Sequence, residues 1–142
     1  MSNTQRLLTR IGALRDNLQR VREGLQDADD ATLLRDPWRL AAIKWHTLLA
    51  IEDAFALCNQ TIAILGGDAP TAYAECFEKL AAHGVIDSAL AERLKAMARF
   101  RNLLLHRYWE VDDQRVLTIA RNDLSDLEQF VGALSVRFNL GV

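Results

Sequence analysis

Within eight residues the chain carries a guanidinium, a carboxamide, an imidazole and a phenol: Arg101, Asn102, His106 and Tyr108. Histidine titrates near neutrality, so it can take and return a proton under cellular conditions. Arginine presents a planar fork that donates to two phosphate oxygens at once. A carboxamide can bind phosphate or hold a neighbouring imidazole in one tautomer. This set suits RNA cleavage without a metal. A base removes the 2′-OH proton, an acid protonates the leaving oxygen, and a cation stabilises the negative phosphorane. One chain offers a single histidine here, and acid plus base need two. A symmetric dimer provides two across its axis. Arg99 and Arg107 widen the positive patch.

These residues sit on a helical pattern. Leu90, Leu94, Met97, Arg101, Leu104 and Tyr108 recur at four- and three-residue steps, so Arg101 interrupts an apolar seam on a helix of about 88–108. A charge there is costly unless it is paired or reaches a cleft. Asn102 and His106 are i,i+4 neighbours and can touch one ligand. Arg101 and His106 point about 140° apart on an ideal helix. They share a site only if Arg101 reaches around, the helix end distorts, or a second chain completes the set. Glu52 and Asp53 lie within another apolar helix, and one of them can orient Arg101 or His106. The plainer alternative stays open: Arg101 as a buried ion pair with Glu52 or Asp53, and His106 as a helix-end residue.

The remaining pattern is helical throughout. Leu7, Ile11, Leu14, Leu18, Val21 and Leu25 form one stripe over about 4–28, with Ser2 or Thr4 as cap. Asp27, Asp29 and Asp30 read as a loop. Asp36-Pro37 opens a long helix to about 65, ended by Gly66-Gly67. Asp68-Ala69-Pro70 opens a short one over about 70–83, with Tyr73, Phe77 and Leu80 inward. Asp87 caps the helix of the motif, and Asp112 or Asp113 caps the last, with a kink near Asn122. No strand-like alternation, repeat, phosphate-binding glycine loop or metal-ligand spacing is present. The expectation is one all-α domain over 1–142, an up-and-down bundle of about five helices.

Composition sets further bounds. The chain has 142 residues, half of them hydrophobic, and a net charge of −2, so bulk charge does not favour long nucleic acid and DNA is not an expected partner. No apolar run is expected to reach the length of a membrane span, and no apolar leader opens the sequence, which predicts a cytoplasmic protein. Cys58 and Cys76 fall on apolar faces and are expected as reduced core residues.

The run Arg101-Asn102-Leu103-Leu104-Leu105-His106-Arg107-Tyr108-Trp109-Glu110-Val111-Asp112 resembles the R-N-x-x-x-H-x-Y-x-x-V-D signature of HepT-like toxins in the HEPN superfamily. The resemblance extends upstream through Tyr73 to Ile86 and through Ala50-Ile51-Glu52-Asp53. It implies a homodimeric helical ribonuclease toxin of the type VII class, with Arg101 and His106 in a composite cleft. It further implies a minimal nucleotidyltransferase (MNT) antitoxin that uses ATP and Mg²⁺ to AMPylate Tyr108, with no cofactor for the toxin itself. Added phosphate two residues from His106 would block the cleft and repel RNA. The sequence departs from the family at Gln60, where relatives often carry histidine late in that helix, and at Leu105, where Val is common. From a different functional class, the same residues would suit a non-catalytic subunit that binds substrate or nucleotide for a nucleotidyltransferase.

Overall fold

Five helices begin behind a short polar side chain whose oxygen accepts a backbone N–H of the first turn: Ser2, Asp29, Asp36, Asp87 and Asp112. Such caps satisfy donors that a helix start leaves without partners. The computed structural model describes residues 1–142. Its helices are α1 (Asn3–Leu25), α2 (Asp30–Leu34), α3 (Pro37–Ile64), α4 (Tyr73–Ala82), α5 (Ser88–His106), α6 (Asp113–Asn122) and α7 (Ser125–Phe138). A single 3-10 turn, Tyr108–Glu110, joins α5 to α6, and there is no strand.

The all-α bundle is as expected, with two additions. The aspartate loop contains α2, because Asp29 caps it and the fully buried Leu33 anchors it. The last helix is two: the chain turns at Asp123–Leu124, so that Val116 and Leu117 on α6 and Phe130 and Val131 on α7 all reach the core. α4 starts at Tyr73 rather than Pro70, because Thr71 donates its backbone N–H (2.9 Å) and its hydroxyl (2.6 Å) to Glu75. That pairing holds the Glu75 carboxyl down at about 2.

α1 and α3 form the most extensive helix pair. They run antiparallel, since Arg10 meets Asp53 (3.0 Å) while Asn17 meets His46 (2.9 Å). Their seam joins one apolar core in which Phe77 and Phe130 pack edge to face at 5.8 Å. Burying each Leu or Phe side chain there contributes about 1.5–3 kcal/mol. α5 packs against α3, α4 and α7. Arg93 of α5 binds Asp126 of α7 at 2.9 Å.

Two sequence expectations are overturned. α3 is long and apolar enough to span a membrane by length and composition, with a window of mean hydropathy 1.2. Half of that window is buried inside the protein, so its apolar residues serve the core of this bundle. Cys58 and Cys76, expected as free thiols, form a disulfide. The Gly66-Gly67 turn sends the chain back, and α4 packs on α3 with the two Cα atoms 6.2 Å apart. That is within the span a disulfide bridges. Eighteen residues of sequence separation hid this proximity.

Candidate functional site

Three elements position the motif: α5 carries it, α3 supplies Glu52, and α4 supplies Tyr73. The Arg101 side chain is only 16% exposed, the burial that its place on an apolar seam requires. Its Nε–H donates to Oε1 of Glu52, and Nη1 donates to Oδ1 of Asn102 at 3.0 Å. Tyr73 lies under the guanidinium, with Cζ 4.7 Å from the ring centroid. The Tyr73 hydroxyl donates to Oε2 of the same Glu52 at 2.6 Å. Burial, then the hydrogen bond to Glu52, pushes the Tyr73 hydroxyl well above its ordinary value of 10.0. Phe55 of α3 packs against the Tyr73 ring at 3.6 Å between centroids.

Glu52 therefore holds both partners, one on each oxygen. A guanidinium has five N–H donors. Nε–H and one Nη1–H are engaged, and no hydrogen bond within the chain takes the rest. Arg101 is oriented without being saturated, which suits a phosphate-binding role better than a closed ion pair would.

The expected neighbours divide over two faces. Asp53 points the other way from Glu52, one residue and about 100° further along α3. It is 6% exposed, and it accepts from Arg10 at 3.0 Å and from Asn17 at 2.9 Å. It ties α3 to α1 and touches neither Arg101 nor His106. Arg99, Asn102, His106 and Arg107 line a shallow depression of about 510 Å³ together with Leu103. His106 is exposed, and neither ring nitrogen has a hydrogen-bond partner within the chain. Arg101 and His106 do not touch. Asn102 is the link between them, because it holds Arg101 and lines the depression with His106.

Tyr108 departs from the seam expected for it. α5 ends at His106, and Arg107 takes φ −140° and ψ 44°. The 3-10 turn then carries Tyr108 out, so that it is 69% exposed instead of packed behind Leu104. The start of α6 fixes this turn: Asp112 caps it, and Lys44 of α3 holds Asp113 at 2.6 Å. No group of three or more His, Cys, Asp or Glu side chains gathers where a metal ion could be held. Sequence reasoning missed Tyr73 as a site residue and saw only an inward-facing aromatic. Its partners lie 21 and 28 residues away, on other helices.

The family model described as Ribonuclease HepT-like matches residues 14–134. The chain belongs to this family. A relative from Archaeoglobus fulgidus, provisionally named an RNase, is 32% identical over 98 residues, covering 69% of this chain and 74% of that protein. The mRNA nuclease HepT of Shewanella oneidensis is 31% identical over 65 residues, covering 46% of this chain and 49% of that one. Among solved structures, the tri-AMPylated HEPN toxin of Shewanella oneidensis in complex with MNT antitoxin matches with a TM-score of 0.85. That alignment covers 96% of this chain and 99% of the other at 20% identity, and it shows a shared fold. In this HepT-like chain the family's R-N-x-x-x-H-x-Y run occupies the end of α5 and the first residue of the turn beyond it.

Proposed function

We propose that this chain is the ribonuclease toxin of a type VII toxin–antitoxin pair, cleaving RNA with Arg101 and His106. The observation that carries this reading is an oriented, unsaturated Arg101 linked through Asn102 to an exposed, unpartnered His106. Arg101 would hold the non-bridging phosphate oxygens and stabilise the phosphorane. His106 would move the 2′-OH proton, and a second His106 across a homodimer would protonate the leaving 5′ oxygen. The products would carry 2′,3′-cyclic phosphate and 5′-hydroxyl ends. No step in this scheme requires a metal. The pair would work in the cytosol, where its RNA is found.

An MNT antitoxin would neutralise the toxin by AMPylating Tyr108 with ATP and Mg²⁺. Exposure of the Tyr108 ring leaves its hydroxyl open to such an enzyme. Each added phosphate places negative charge beside Arg107 and His106, where RNA would otherwise sit. Incubation with the cognate partner and ATP is expected to add AMP masses that disappear in Tyr108→Phe. Undiminished labelling of that variant would place the modification elsewhere.

A second reading rests on the lack of contact between Arg101 and His106 in one chain: a subunit that binds RNA or nucleotide for its partner without cutting. The two separate in one experiment. Purified dimer free of AMP is incubated with cellular RNA and EDTA, beside Arg101→Ala and His106→Ala. Cleavage by wild type, falling at least about a hundredfold in either variant, is expected of a nuclease. Intact RNA with wild-type protein would favour the binding subunit.

A further inference from the structure

The 3-10 turn exposes two aromatic rings side by side. Tyr108 and Trp109 are each 69% exposed and meet edge to face at 5.5 Å, with an interplanar angle of 79°. Such a pair covers at most one face of each ring, so at least one indole face stays open to solvent. An indole left in water forfeits the burial of about 150–250 Å² that its type usually brings to a core or an interface. Here the turn withholds it from the core.

The surroundings indicate what would cover it. Trp109 follows the helix end that bears Arg99, Asn102, His106 and Arg107, which line the open depression. Arg107 is 66% exposed and makes only a long contact of 3.7 Å with Glu110. A flat apolar face beside unsaturated cations is the combination by which proteins hold single-stranded RNA: bases stack, and phosphates meet arginine. The exposed Trp38 and Trp45 stand on α3, outside the run that bears His106 and Arg107.

We propose that Trp109 is the base-stacking platform of this site, holding a nucleobase next to the phosphate presented to His106 and so setting which bond is cut. This rests on the ribonuclease reading. Stacking tolerates every base but favours the larger purine ring. The platform therefore confers a purine bias at one position without edge-specific recognition.

The test uses the full chain with His106→Ala, so that RNA is bound and left uncut, in a Trp38→Phe, Trp45→Phe background where Trp109 alone fluoresces. Circular dichroism first establishes that each variant is folded. A 12-mer of oligo(A) is expected to quench Trp109 more than oligo(U). Trp109→Ala is expected to weaken oligo(A) binding by about ten- to a hundredfold, and Trp109→Phe to retain most of it. RNA binding that is unchanged in Trp109→Ala, with no quench in the parent, overturns the platform and leaves the nuclease intact. Failure of wild type both to bind and to cut RNA removes the nuclease reading and the platform with it. Unchanged RNA binding with lost AMP transfer from the partner would mean that the indole is a protein-docking residue, and would equally overturn the proposal.

Discussion

At the residue scale, the feature that organises the site is one carboxylate holding two unlike partners. Glu52 accepts from the Arg101 guanidinium on one oxygen and from the Tyr73 hydroxyl on the other. The need for a partner was legible in the sequence, because a guanidinium on an apolar seam costs too much alone. Its identity was half legible. Glu52 and Asp53 were equivalent until the phase of α3 was known, and Asp53 proved to serve Arg10 and Asn17. Tyr73 was illegible, because its contact with Arg101 comes from tertiary packing. It gives a prediction with a definite sign. Burial and Glu52 keep the Tyr73 hydroxyl protonated in the folded chain to a higher pH than in the unfolded chain. Its contribution is therefore complete below pH 10 or so and is lost as pH rises toward the folded value. Tyr73→Phe keeps the ring and removes the hydroxyl. We expect it to cost about 1 kcal/mol at pH 8 by urea denaturation, and the deficit against wild type to shrink at pH 11. A deficit that is constant with pH would mean that folding leaves the titration of the Tyr73 hydroxyl unchanged, against the environment described here.

At the element scale, helix starts were the most legible feature and one helix end the least. Asp36, Asp87 and Asp112 announce their helices because an Asx side chain before an apolar repeat has a direct job to do. The end of α5 is different. Its apolar spacing runs on to Tyr108, and only the need to place Asp112 as the next cap forces the chain to unwind at Arg107. The same limit applied to the cysteines, whose faces were legible and whose pairing was not. The bond closes a short loop that joins α3, which carries Glu52, to α4, which carries Tyr73. Reduction by a dithiol is expected to lower stability by about 3 kcal/mol, read from the urea midpoint under reducing and non-reducing conditions. The Cys58→Ser, Cys76→Ser variant should match the reduced protein and no longer respond to reductant. Equal midpoints with and without dithiol would show that the loop is already constrained by packing.

At the scale of the whole molecule, the face problem on α5 gives the proposed dimer a test. Arg101 turns inward to α3 and α4 while His106 turns out to the open depression, and nothing within one chain closes the gap. A dimer resolves it if the two chains meet in one cleft that holds Arg101 and His106 of both, one His106 as base and the other as acid. That arrangement has a consequence that no single-chain site shares. Wild type and His106→Ala are mixed in equal amounts, unfolded and refolded together. With random pairing about a quarter of the dimers are wild type, about half are heterodimers and about a quarter carry no His106. If one cleft needs both histidines, the heterodimers are inactive, and the mixture is expected to show about a quarter of the activity of the same total concentration of wild type. A site built within one chain would keep one working copy in every heterodimer, and the mixture would show about half. Activity near a half, in a sample shown to contain heterodimer, would place a whole site in each protomer. RNA would then have to bridge the two faces of α5 through Asn102.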